Sequence, residues 1–340
     1  MRDLVVAGGG PVGLVAALHA ARAGLDVVVR EPRRPPIDKA CGEGLMPGAL
    51  AALTDLGVDP PGVPITGIRY VDDHDSAVAE FRHGPGRGVR RTALSAALLD
   101  AVAAAGVEVV ARPVEAVEQR DDHVLVDDEP AGHLIAADGL HSRVRRLVGA
   151  ERDLSGAKRY GLRAHTAVAP WSSEVEVHWS RRSEAYVTPV ARDEVGLAIL
   201  TDRPAPFAEL LADHRGLAER FAGATWSPVR GAGPLRQRVT RRVVGRTLLV
   251  GDAAGYLDAI TGEGIALGLA QAAAAVEAVV AGCAEDYETA YRRLGRRHQL
   301  LTQALLSSAR VPAVRRLIVP TAARLPRVFG AAVDQLARPA

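Results

Sequence analysis

The sequence predicts an α/β fold: a parallel sheet of βα units, an inserted block of antiparallel strands, and a helical C-terminal segment. Three observations predict it. Residues 4–7, 134–137 and 248–250 are short apolar runs that break at glycine, or at an acid beside glycine, as strands buried on both faces do. Between the second and third runs, residues 174–179, 185–188 and 195–200 alternate instead, the signature of antiparallel strands. From residue 264 onward the apolar spacing is helical.

The first run leads into Gly8, Gly10 and Gly13, a G-x-G-x-x-G turn, with Pro11 and Val12 opening a helix over residues 11–23. The first glycine permits a tight turn, the second lets a pyrophosphate come close to the backbone, and the third lets helix and strand pack. The helix then offers free N–H groups and the positive end of its dipole to phosphates. A second strand, residues 26–30, ends at Glu31, about 20 residues past the turn, where a carboxylate can accept from the ribose hydroxyls of a dinucleotide. Strand, turn, helix and acid together favour a bound dinucleotide over a purely structural turn.

Residues 37–45, Ile37-Asp38-Lys39-Ala40-Cys41-Gly42-Glu43-Gly44-Leu45, form a glycine-rich charged loop that either approaches the far end of such a cofactor or merely connects. Residues 48–56 read as a helix and 67–81 as a hairpin turning at Asp72-Asp73-His74-Asp75. From Arg91, the spacing of Leu94, Leu98, Leu99 and Val102 predicts a helix ending at Gly106, followed by strands at 107–111 and 122–126. Arg143, Arg145 and Arg146, just past Asp138-Gly139, either neutralise phosphates or sit on an exposed first helical turn. Residues 207–221 read as one amphipathic helix, and 264–283 as a buried alanine-rich one carrying Gln271 and Glu277, not a membrane span. Arg310, Arg315, Arg316, Arg324 and Arg327 are interleaved with aliphatics in the tail; capping of the protein itself is the preferred reading, with peripheral membrane contact the alternative. The domains expected are a discontinuous nucleotide domain (1–66, 84–157 and 241–285), a substrate-binding α+β domain (67–83 and 158–240) and C-terminal helices (286–340).

Composition narrows the class. Among 340 residues, 48% are hydrophobic and 24% charged, ordinary values for a soluble globular chain. Lys+Arg of 42 against Asp+Glu of 40 leaves +2, so no nucleic-acid partner is expected. Cys41 and Cys283 make no disulfide framework, no secretory signal opens the chain, and the ten histidines show no metal-ligand spacing; a cytoplasmic protein without a resident metal is expected.

The glycine turn with Glu31, the Asp138-Gly139 break and the Gly251-Asp252 break together resemble the flavoprotein superfamily of para-hydroxybenzoate hydroxylase-like monooxygenases and geranylgeranyl reductase-like reductases, over roughly residues 1–285. The resemblance implies a Rossmann-type FAD-binding domain with FAD as resident cofactor. It places Arg91 on the flavin nucleotide, Asp252 on the ribitol, and Asp138-Gly139 on FAD and nicotinamide handling. By the same resemblance, Gly262, Gly264 and Ile265 open a helix whose positive end faces the flavin pyrimidine ring, favouring its reduced, anionic form. The spelling departs from the hydroxylases at Gly255 and Ala259. Lys39-Ala40-Cys41-Gly42-Glu43-Gly44 and Thr261-Gly262-Glu263-Gly264-Ile265 look more like the geranylgeranyl reductase branch, whereas Tyr186-Val187-Thr188-Pro189 lacks that branch's Trp and Phe.

The leading expectation is an NADPH- or NADH-driven monooxygenase that hydroxylates or epoxidises a small apolar or aromatic secondary metabolite with molecular oxygen, through a flavin peroxide. A phenolic substrate would need a base or polar relay, for which His178, Tyr186 and His165 are candidates. The alternatives are a reductase of prenyl double bonds, with Cys41 either beside the flavin or simply a small buried hydrophobe, and a non-catalytic flavin-fold binding protein.

Overall fold

The computed structural model describes residues 1–153 and 158–338. Its central sheet has eight strands, ordered Val243–Val244, Thr247–Leu249, Glu129–Ala136, Arg2–Ala7, Val27–Arg30 and Glu108–Val110, with Val124–Val126 and Val117–Gln119 extending from Glu129–Ala136. The four pairings at its centre are parallel. Apolar side chains on both faces account for the arrangement: Leu4, Val5, Val6 and Ala7 are all buried, as are Leu134, Ile135, Leu248 and Leu249. Register matters most for function. Ala7 pairs with Ala136, Ala136 with Leu249, and Ala7 with Arg30, so these strands end at one level. Gly8, Glu31, Asp138 and Gly251-Asp252, distant in sequence, emerge from the same edge.

The second sheet has seven strands, ordered Arg230–Ala232, Tyr160–Thr166, Glu194–Thr201, Ser183–Ala191, Glu174–Trp179, Gly67–Val71 and Ser76–Glu80. It is antiparallel except where Glu174–Trp179 runs parallel to Gly67–Val71, a pairing that alternation alone does not reveal. One face carries Ala185, Val187, Leu197 and Ile199 against Phe207, Leu210, Leu217 and Phe221. The single helix expected over 207–221 is instead two, Phe207–Ala212 and Arg215–Arg220. His214 leaves helical geometry at φ −112°, and its buried Nε2 meets Ser183 Oγ at 2.9 Å, a tertiary contact that overrides local periodicity.

The C-terminal helices are Asp286–Arg310, Pro312–Arg315, Ile318–Arg324 and Pro326–Ala337, of which the last two pack on Ser76–Glu80. Among the described residues, no helix is long and apolar enough to cross a membrane. The domain boundary expected at 157/158 falls next to residues 154–157, and the C-terminal unit ends in 339–340, both outside the described residues.

Candidate active site

One continuous cavity starts at the glycine turn and runs between the two sheets to the last helix. Its nucleotide end is built by close backbone approach. At Gly8, with φ +107°, a Cβ would lie 2.5 Å from the Ala137 carbonyl oxygen, and at Gly13 only 1.9 Å from that of Gly8. Gly10 differs: its nearest neighbour would be Arg91 Nη2 at 3.8 Å, leaving it open to the cavity. Gly10 caps the Pro11–Arg22 helix without a side chain, so the first N–H groups of that helix have no partner within it.

Glu31 lies behind the turn. Its Oε2 accepts from Gly9 N–H at 2.8 Å and Arg33 Nη2 at 2.7 Å, and its Oε1 from Arg33 Nε at 2.8 Å. Burial opposes ionisation, but the hydrogen bonds from Arg33 and Gly9 outweigh it and hold the carboxyl below its ordinary pKa. Asp138 Oδ2 accepts from the N–H groups of Arg143 and Val144 at 2.7 and 3.0 Å, while its buried Oδ1 has no partner. Arg91 Nε is likewise buried and unpartnered among the described residues. Lys39 Nζ donates to Asp252 Oδ2 at 3.3 Å, tying the 37–45 loop to the third strand end.

A buried polar chain backs that loop. Glu43, in the left-handed region at φ +59°, accepts from Arg91 N–H through Oε1 at 2.7 Å and meets His165 Nε2 through Oε2 at 2.5 Å. Arg163 Nη1 lies 3.0 Å from His165 Nδ1, and its Nη2 pairs with Asp38. A guanidinium can only donate, so Nδ1 accepts and the His165 proton sits on Nε2, directed at Glu43. Cys41 faces the cavity beside this chain, and burial pushes its thiol pKa up, keeping it protonated.

Beyond the loop the walls turn apolar: Ile65, Ile68, Val175, Val177, Leu200 and Leu235, with Phe81 and Tyr70. Tyr186 donates to the Ile260 carbonyl at 2.9 Å; burial raises its phenol pKa, and that of Tyr256, well above the usual value. Val333 and Leu336 of the Pro326–Ala337 helix close the far end.

Of the residues expected from sequence, Gly10, Pro11, Val12, Cys41, Gly42, Arg91, Asp138, Gly139, Asp252, Gly262, Gly264 and Ile265 line this cavity, as does Tyr186. Gly8, Gly13, Glu31 and Gly251 shape it from behind. His165 sits behind the wall, committed to Glu43 and Arg163. His178 is a correction: strand alternation sends Val175 and Val177 to the cavity and His178 to a polar groove on the opposite face, where it meets Glu176 at 2.9 Å. The arginines after Gly139 hold no phosphate position either. Arg145 is buried and donates to the carbonyls of Leu140, Asp252 and Ala253, Arg143 pairs with Glu115, and Arg146 donates to the His141 carbonyl. Sequence reasoning missed Arg33, Lys39, Glu43 and Arg163 as site residues. Only the charge density of the 37–45 loop signalled any of them.

A family model described as an FAD binding domain matches residues 1–203. The chain belongs to this family. It is an FAD-dependent oxidoreductase, and its relatives divide by reaction. The chain is 30% identical over 332 residues to a menaquinone reductase of Mycolicibacterium smegmatis, covering 87% of this chain and 80% of the relative. It is 29% identical over 346 residues to protoasukamycin 4-monooxygenase of Streptomyces nodosus subsp. asukaensis, covering 85% and 84%. The crystal structure of p-nitrophenol 4-monooxygenase from Pseudomonas putida superposes with a TM-score of 0.81 over 99% of this chain and 98% of that one; at 19% identity it shows a shared fold.

Proposed function

We propose that this flavoenzyme reduces a carbon–carbon double bond of an elongated, apolar, isoprenoid-type substrate, with NADPH or NADH as the electron source. The observation that carries the reading is the state of the cavity's polar groups. Every side chain nominated as a base for phenol hydroxylation is either committed to a protein partner or turned to the other face. Toward the apolar walls, the Cys41 thiol and the Tyr256 phenol are both kept protonated by burial, while the carboxylates of Asp138 and Asp252 stand at the strand-end edge of the cavity.

FAD, when bound, supplies the two electrons as hydride. The residues fit it. Arg91 and the open Gly10 turn suit the pyrophosphate and Asp252 the ribitol, the unpartnered Asp138 Oδ1 can accept from a further hydroxyl, and Glu31, its oxygens engaged by Gly9 and Arg33, braces the turn from behind. The start of the Gly264–Val280 helix supports negative charge on the reduced ring. Aliphatic walls would hold the substrate chain and exclude water, and the Cys41 thiol facing the cavity would give its proton to the second alkene carbon, the thiolate being re-protonated from solvent once product leaves.

Oxygen insertion is the second reading, favoured by the comparable identity to protoasukamycin 4-monooxygenase and equally served by a dry cavity. Anaerobic turnover with NADPH and a prenylated quinone, read by mass spectrometry, separates the two. Gain of two hydrogens without oxygen is expected; a strict oxygen requirement with gain of one oxygen atom would replace this reading with the second.

A further inference from the structure

The C-terminal helices carry a second apolar surface, facing away from the cavity. Val311, Val314, Leu317, Leu325 and Val328 are between 42% and 63% exposed, and they are five of the twelve large hydrophobic side chains exposed among the described residues. All five fall within residues 311–328, a concentration along the chain that the ordinary scatter of surface aliphatics does not show. Interspersed with them are Arg310, Arg316, Arg324 and Arg327, all exposed and, among the described residues, none within ion-pair distance of a carboxylate. No Asp or Glu occurs anywhere in residues 310–333.

The fifth arginine of the segment fixes its orientation. Arg315 is buried and donates to the Ser180 carbonyl at 2.6 Å and the Ser183 carbonyl at 2.7 Å, while its Nη1 pairs with Glu184 at 2.6 Å. That anchor leaves Val311, Val314 and Leu317 outside. On the last helix the two sides separate clearly: Val328 and Arg327 face solvent, whereas Phe329 and Val333 are buried and Val333 lines the cavity.

We propose that residues 310–328 dock on an anionic lipid bilayer. The aliphatics enter the acyl boundary and the unpaired arginines meet the lipid phosphates, because exposed aliphatics interspersed with uncompensated positive charge match an anionic membrane surface. Docking holds whichever reaction the site performs. That the cavity draws its substrate from the membrane, past the Pro326–Ala337 helix, rests on the isoprenoid reading above.

The test is flotation of the FAD-loaded protein with phosphatidylcholine vesicles, with and without phosphatidylglycerol, for the wild type and for Leu317→Asp/Val328→Asp and Arg324→Glu/Arg327→Glu. Binding to phosphatidylglycerol vesicles is expected, at least tenfold weaker in high salt and for either double variant, with flavin content and absorbance unchanged. Failure to float, or flotation insensitive to both variants, overturns the proposal. So does a solution dimer that Leu317→Asp/Val328→Asp dissociates, which would assign the face to a second copy of the chain. Flotation without alkene reduction would leave docking standing and remove the reaction instead.

Discussion

His165→Leu tests the buried chain that shapes the 37–45 loop. In the native protein Glu43 is almost fully buried, and its two oxygens are served by Arg91 N–H at 2.7 Å and His165 Nε2 at 2.5 Å. The next cation, Arg163 Nε, stands 4.0 Å from Oε1. Leucine fills the imidazole's space but strands Oε2, and losing a buried hydrogen bond to a charged group costs about 3 kcal/mol, the upper end of the usual range because no water replaces the donor. Glu43 also sits at φ +59°, a conformation that costs a non-glycine residue roughly 1–2 kcal/mol and that these bonds maintain. In a Glu43→Gln background no charge is stranded, so the same His165→Leu change should cost only about 1 kcal/mol. The assay is denaturant unfolding of the holoprotein followed by tryptophan fluorescence, giving a coupling of roughly 2 kcal/mol between the two positions. Equal costs of His165→Leu in the two backgrounds would refute the reasoning.

Asp252→Ala should raise the FAD dissociation constant roughly 5- to 150-fold, by the roughly 1–3 kcal/mol a lost hydrogen-bond acceptor costs, as measured by flavin fluorescence titration. Gly13→Ala places a methyl 1.9 Å from the Gly8 carbonyl oxygen, so soluble protein with normal flavin content is not expected, and its recovery would show that the turn can yield. His214 titrates mainly against burial, with added repulsion from His178 and Arg315, so its folded pKa falls to about 3. A histidine depressed in the folded state contributes stability that is present above its unfolded value near 6.5 and lost as pH falls through the window down to 3. His214→Asn should therefore flatten the decline in unfolding free energy between neutral and acidic pH relative to the wild type, and parallel slopes would contradict the burial of a neutral imidazole.

How much of this was legible beforehand follows the range of the interactions. Gly8, Gly10 and Gly13 act within one turn, and strand ends announce themselves through apolar runs that stop at Gly or Asp-Gly, so the FAD edge could be read from spacing. The Gly67–Val71 and Ser76–Glu80 hairpin was visible for the same reason. His178 was misassigned because alternation defines two faces without saying which one meets the cavity; Val175 and Val177 take the inside. Glu43, His165, Arg163 and Asp38 join only through tertiary contacts, and nothing local foretells them. Neither sequence reading of Arg145, phosphate ligand or exposed first turn, anticipates its burial among the carbonyls of Leu140, Asp252 and Ala253. The helix break at His214 and the closure of the cavity by Val333 and Leu336 likewise depend on partners far along the chain.

A crystal structure of the FAD-loaded protein tests the central claim most directly. The pyrophosphate is expected against Gly10 and Arg91, the ribitol at Asp252, and the ring system opening onto Cys41 and the apolar walls. A flavin bound away from the common edge formed by Gly8, Asp138 and Asp252, or a ring turned from the apolar cavity toward the polar groove beside His178, would contradict it.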